Sequence, residues 1–107
     1  MEVKQYHIIL VNLDPTIGSE IKKTRPYIVI SPNEMNKHLL TIVIAPMTTT
    51  LKKHPTRVEI VHNSKKGYVV IDRIRTIDKA RIIKSLGELS NKESTEIKNV
   101  IRECYVD

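Results

Sequence analysis

Phenylalanine and tryptophan are absent from this chain of 107 residues, so its core must be assembled from Ile, Val and Leu. Cysteine occurs once, at Cys104, which excludes a disulfide framework and a thiolate zinc cage. Burial habits place that lone thiol inside the protein and in a reducing compartment. The three glycines, Gly18, Gly67 and Gly87, stand apart and cannot form a phosphate-cradling loop. No apolar run approaches the ~20 residues of a membrane helix. Met1–Tyr6 carries charges and leads into no signal-peptide core, so the expected location is cytoplasmic and no membrane partner is expected. His7, His38, His54 and His62 are scattered, with no histidine pair one helical turn apart and no carboxylate read at ligand spacing. Neither a metal nor another cofactor is expected.

What remains is basic and rich in β-branched residues. Lys and Arg outnumber Asp and Glu by 18 to 12, a net charge of +6. Such a field favours polyanionic partners, with nucleic acid ahead of acidic peptides. Runs of Ile and Val at His7–Leu13, Tyr27–Ser31, Leu39–Ala45, Arg57–His62, Tyr68–Ile77 and Arg81–Leu86 predict strands separated by turn residues. "HNSKKGY" predicts a hairpin turn with Gly67 in the unusual backbone region. "SPNEMN" has room for one helical turn. "SNKE", Ser90–Glu93, matches a capping box, and Ile97, Val100, Ile101 and Cys104 then recur at helical spacing. The expected fold is mainly β (α+β): one domain over residues 1–107, a curled antiparallel barrel of five to seven short strands with a C-terminal amphipathic helix.

Three segments carry candidate chemistry. In the first, Asp14-Pro15-Thr16 opens a turn, Gly18-Ser19 permits a tight backbone, and Arg25-Pro26 closes the loop. Proline disfavours the helical region for the residue before it, so Arg25 sits extended at a strand mouth. The ordinary alternative is a surface arginine in a basic loop. In the second, the strand Thr41–Ala45 is expected to leave through Pro46 into Met47-Thr48-Thr49-Thr50, whose hydroxyls can bond an anionic ligand. Ordinary turn chemistry explains the same threonines. In the third, "IDRIRTID" alternates apolar and charged residues, which as a strand puts Arg73 and Arg75 on one face and Asp72 on the other.

Together "VNLDPTIGSE…TRPYIVISP", "IAPMTTT", "PTRVEI" and "VVIDRIRTID" resemble, in order and spacing, the MazF/PemK/Kid ribonuclease toxins over nearly the whole chain. The resemblance implies a small SH3-like barrel that forms a homodimer and cuts single-stranded RNA sequence-specifically and without metal. It also implies a cognate MazE-like antitoxin with an acidic, disordered segment. Carried over by motif, Arg25 falls on the catalytic arginine and Thr48 on the catalytic Thr or Ser. Ser19, Glu20, Lys22, Lys23, Thr49, Lys52, Lys53, Asp72 and Arg75 fall in segments that shape the site or contact RNA, and Glu20 is the nearest carboxylate for a general base. Lys22, Lys23, Lys52, Lys53, Lys65 and Lys66 are expected to cluster in three loops. The chain departs from the pattern at Tyr6-His7, where many relatives carry Gly-Asp, and at Ile21–Thr24, where Gln-x-Gly is common. Two other readings stand beside this one: a non-catalytic basic barrel that binds nucleic acid, and a CcdB-like gyrase-inhibiting toxin, whose terminal tryptophan-glycine-isoleucine is not matched by Cys104–Asp107.

Overall fold

The computed structural model describes residues 2–13, 24–50 and 52–106. Seven strands form one antiparallel sheet: β1 His7–Asn12, β2 Thr24–Val29, β3 Thr41–Thr48, β4 Arg57–His62, β5 Lys65–Val70, β6 Arg75–Asp78 and β7 Ile82–Glu88. Their order is β4-β5-β3-β2-β1-β7, with β6 also paired to β3. Two helices accompany them, α1 Asn33–His38 after β2 and α2 Asn91–Tyr105 at the end. The expected mainly β architecture with a terminal amphipathic helix therefore stands, and the sheet curls as a half-barrel. Part of that curl comes from β1 against β7, where the register slips twice and Gly87 takes φ 138°. Each bulge adds a residue on one side only and so bends the ribbon.

Both faces of the sheet are packed with aliphatic side chains. On one face Ile8, Ile28, Ala45, Val58, Ile60 and Val69 meet Ile97 and Val100 of α2. On the other, Ile9, Val11, Tyr27, Val29, Ile42, Ile44 and Ile77 pack beneath Val3. Alternation along each strand sends odd and even positions to opposite faces, which is why neighbours such as Ile8 and Ile9 belong to different clusters. Helix α2 starts where the capping box predicts: the Glu93 N–H donates to Ser90 Oγ at 3.1 Å and the Ser90 N–H donates to Glu93 Oε1 at 2.9 Å. Helix α1 is pinned by the buried Asn36, whose amide donates to the Ser31 carbonyl at 2.8 Å. Tyr6 has φ 64° and directs the chain into β1. A left-handed conformation costs a non-glycine residue about 1–2 kcal/mol.

Five expectations are corrected. The turn between β4 and β5 is Asn63-Ser64, with φ 52° and 62°, closed by the pair His62 and Lys65. Two consecutive positive φ values make the tight primed hairpin whose twist matches the flanking strands, and Asn tolerates that region well. Gly67 is therefore not a turn residue but a buried strand residue. Lys65 and Lys66 accordingly lie in β5 rather than in a loop. The expected strand Tyr68–Ile77 is interrupted by a 3-10 turn at Ile71–Arg73, so the simple alternation of Asp72, Arg73 and Arg75 does not hold. Strand β3 does not stop at Ala45 but runs through Pro46 to Thr48. Cys104 is exposed, because the apolar stripe of α2 is buried at Ile97 and Val100 and has turned to solvent one turn later.

Candidate active site

The residues of greatest interest sit where β3 changes partners. Up to Pro46, β3 pairs with β2 through Val29–Ile44, Ile28–Ala45 and Tyr27–Pro46. Beyond that point β2 pairs only with β1, Arg25 opposite Val11, while β3 pairs with β5 through Met47–Val69 and Thr48–Tyr68. The two strands thus part like a fork. Continuing the antiparallel count past the last pair sets Arg25 of β2 against Thr48 of β3. Both lie on the face that carries Tyr27, Val29, Ile42 and Ile44. Arg25 is exposed and Thr48 half-buried. Among the described residues no carboxylate is ion-paired to Arg25, so its guanidinium is available to an outside anion.

The partner switch has a local cause. On its side away from β2, β3 pairs with β6 from Thr41 to Ile44 and with β5 at Met47 and Thr48. The 3-10 turn Ile71–Arg73 that links β5 to β6 stands beside the gap. The Ile30 N–H donates to the Val43 carbonyl at 2.8 Å, so Ile44 and Pro46 direct their backbone groups away from β2, Ile44 to Arg75 of β6 and Pro46 to the gap between β6 and β5. Pro46 has no N–H to leave unpaired there, which is the one kind of central-strand position proline tolerates.

Thr48 is held from two sides. Its hydroxyl oxygen accepts the Thr50 N–H at 3.1 Å. A hydroxyl has one proton and two lone pairs, so this bond orients the oxygen and leaves the proton to be donated elsewhere. From below, Gly67 lets the strands close up: a Cβ built on it would stand 3.0 Å from the Thr48 carbonyl oxygen. This is a role the sequence hides, because a glycine just after a turn reads as part of the turn. The two-residue signal Asn63-Ser64 was the clue that places Gly67 inside the strand.

The remaining sequence-predicted residues divide into three groups. Arg75, opposite Ile44 on β6, shares the face of Arg25 and Thr48 and is exposed. Thr49, Lys52 and Lys53 are exposed just beyond Thr48, where the Lys52 N–H donates to the Thr50 carbonyl at 2.9 Å. Asp72 is exposed on the 3-10 turn, and its Oδ1 accepts the Thr56 hydroxyl at 3.0 Å, a bond that fixes the turn to the start of β4. Ser19, Glu20, Lys22 and Lys23 lie outside the described residues, as does the turn beginning at Asp14. One carboxylate at ligand spacing was overlooked: Glu34 is one helical turn before His38, its Oε1 3.1 Å from Nε2. Among the described residues no third His, Cys, Asp or Glu joins it.

A second concavity adjoins the fork. A cavity of about 660 Å³ follows β4 and the start of α2, lined in part by Arg57, Glu59, Tyr68 and Lys92. At its helix end, partial burial pushes the Glu93 carboxyl up, but the Ser90 N–H, the Val61 N–H at 2.8 Å and the Ser90 hydroxyl outweigh it and hold the group below the usual range. Burial raises the Tyr6 phenol. It also raises that of Tyr105, with Cys104 and Asp72 adding to the effect; the Tyr105 hydroxyl donates to the Ile71 carbonyl at 2.7 Å. No helix among the described residues is long and apolar enough to cross a membrane.

Residues 4–105 match the family described as PemK-like, MazF-like toxin of type II toxin-antitoxin system. The endoribonuclease MazF of Staphylococcus saprophyticus is 34% identical over 100 residues, covering 88% of this chain and 83% of that protein. The crystal structure of MazF from Deinococcus radiodurans superposes with a TM-score of 0.77 at 25% identity, covering 96% of each chain. A mycobacterial endoribonuclease in complex with its cognate antitoxin superposes with a TM-score of 0.79 at 24% identity, covering 94% of this chain and 92% of that one. With a family match over nearly its entire length, a relative of this identity and the curled antiparallel sheet in common, the chain belongs to the PemK-like, MazF-like toxins of type II toxin–antitoxin systems.

Proposed function

We propose that this endoribonuclease toxin cuts single-stranded RNA in the cytoplasm at the fork between β2 and β3, with Arg25 and Thr48 as its catalytic residues. The observation that carries the reading is the register: counted on past Tyr27–Pro46, where the strands part, Arg25 and Thr48 fall at matching positions on the same side of the sheet. The substrate's own 2′-hydroxyl is the nucleophile. It loses its proton and attacks the adjacent phosphorus; the bond to the 5′-oxygen breaks as that oxygen gains a proton. The products carry a 2′,3′-cyclic phosphate and a 5′-hydroxyl, and no metal takes part.

The transition state gathers negative charge on the non-bridging oxygens. A guanidinium is a permanent cation whose planar fork of donors fits two phosphate oxygens, which suits Arg25 to that charge. Thr48, its oxygen oriented by the Thr50 N–H, donates a neutral hydrogen bond to the same group. Arg75 on the same face, and Lys52, Lys53 and Thr49 beyond Thr48, hold the flanking backbone. Ser19, Lys22 and Lys23 are assigned the same binding role by motif, and Glu20 the role of base. Single strands suit the site because unstacked bases can be read on their edges. Two copies of the chain form the working homodimer, and a cognate MazE-like antitoxin neutralises it by covering the basic face with an acidic, disordered segment.

The test is incubation with a long RNA in excess EDTA and mapping of the cut ends. Cuts at defined sequences with 5′-hydroxyl ends support the reading. Intact RNA in EDTA removes the metal-free mechanism, and binding without cutting at any ion condition favours a non-catalytic module. A pH–rate profile of single-turnover cleavage for Glu20→Gln tests the base: an unchanged acidic limb removes Glu20 from that role.

A further inference from the structure

We infer that the row of side chains next to Thr48 is a base-reading subsite, in which Glu59 and Lys66 together select guanine in a nucleotide flanking the cut bond; this rests on the catalytic role proposed for Thr48. Thr48 pairs with Tyr68 of β5, and Tyr68 pairs with Glu59 of β4, so the three share one face of the sheet. Neighbouring strands are about 4.8 Å apart, which puts Glu59 roughly 10 Å from Thr48. That is beyond the reacting phosphate and within the territory of the next nucleotide along an extended strand.

The place is built to receive something flat and polar. Tyr68 and Glu59 both line the cavity of about 660 Å³, whose other charges apart from Glu93 are the Glu96 carboxylate and the cations Lys53, Arg57 and Lys92. Those cations suit the phosphates on either side of the bound base. The Glu93 carboxylate in the same cavity is already engaged by Ser90 and Val61. Glu59 is different. Its carboxylate meets the Lys66 ammonium at 3.3 Å, with the two side chains 51% and 56% exposed. A surface ion pair of this sort contributes little to stability, so the two groups can exchange each other for a ligand at low cost.

Side by side, a carboxylate and an ammonium present two acceptor oxygens and then a donor. Guanine is the base whose Watson–Crick edge is complementary in full: the N1–H and a 2-amino N–H face the carboxylate, and O6 faces the ammonium. Cytosine, adenine and uracil each satisfy only part of that row. Bidentate pairing of this kind is worth about a five- to 150-fold preference per base.

The experiment is a cleavage-site census. Wild type, Glu59→Gln and Lys66→Ala are each given a pool of random-sequence RNA, and the cut positions are sequenced. The expected wild-type profile shows guanine enriched at one fixed position beside the cut. In Glu59→Gln, where one acceptor becomes an amide donor, that enrichment falls about tenfold. Lys66→Ala lowers it less, and sites without guanine are cut as before. Replacing that guanine by inosine, which removes only the 2-amino group, slows wild type and leaves Glu59→Gln indifferent. A wild-type profile without guanine at a fixed flanking position overturns the inference, as does an enrichment unchanged in Glu59→Gln. An even loss of cleavage over all sites also overturns it. Arg25→Ala and Thr48→Ala are assayed alongside: if they cut normally, the catalytic reading falls, and the Glu59→Gln profile still decides base selection independently.

Discussion

The two ends of β3 differ in composition, burial and pairing. From Thr41 to Ala45 the strand pairs with β6 up to Ile44 and with β2 at Ile44 and Ala45, and Ile42, Ile44 and Ala45 are buried. Pro46 is the last residue paired with β2, Met47 and Thr48 pair only with β5, and all three residues are only half-buried. The first half is fixed because each face is occupied. The second is fixed by backbone pairing and by Gly67 below it, which leaves its Thr48 hydroxyl free to meet a ligand. With the catalytic role proposed for Thr48, one strand carries a support and a tool, and the change of partner after Pro46 divides them.

Substitutions on either side of that division should separate activity from stability. The largest effect on activity belongs to Arg25→Ala, which should lower single-turnover cleavage by 10²–10³-fold, roughly 3–4 kcal/mol, while the melting curve stays put. Ile44→Ala should do the reverse in kind, costing about 2–5 kcal/mol in a denaturant titration through the cavity it leaves. If the Arg25→Ala protein melts as early as the Ile44→Ala protein, the division is wrong. Gly67→Ala falls between them. Its added methyl presses on the Thr48 carbonyl, and overpacking of about 1–3 kcal/mol should appear as lower stability with a fall in kcat larger than any rise in KM.

The smallest effect concerns the far end of the sheet and has a pH signature. The Glu93 carboxyl is held below its ordinary range, so the bonds it accepts stabilise the fold above the unfolded value, near 4.5, and are lost as pH falls through the lower folded value. Glu93→Gln should therefore melt earlier than wild type at neutral pH, by up to about 1 kcal/mol of capping energy, and the gap should close in acid once pH has fallen through the lowered folded value. Thermal melts at both pH values check it; a gap that persists in acid removes the ionised carboxylate as the cause.

Elements whose signal is local were legible in the sequence. The capping box Ser90–Glu93 gave the start of α2, and the β-branched run Arg57–His62 gave β4 with its bounds. Arg25 before Pro26 was correctly read as extended. What stayed hidden was decided at a distance. Nothing near Pro46 reveals that β3 continues through it, because the tolerance comes from the turn at Ile71–Arg73, far along the chain. Gly67 was misread since its reason for lacking a side chain is the Thr48 carbonyl on another strand. Cys104 follows the apolar period of α2 but lies beyond the sheet's cover, an extent the helix itself does not encode. The pairing of Tyr68 with both Thr48 and Glu59, on which base selection rests, is visible only once the strands have been ordered.

Helix α2 is fastened at both ends to the sheet it covers: Glu93 grips the Val61 amide on the outer strand, and the Tyr105 hydroxyl grips the Ile71 carbonyl beside the partner switch. A rod buckled at each tip cannot slide or peel without straining the piece between its anchors. The last turn of the helix and the bend beside the partner switch are therefore joined by a single hydrogen bond, the shortest link between the tail of the chain and that corner of the sheet.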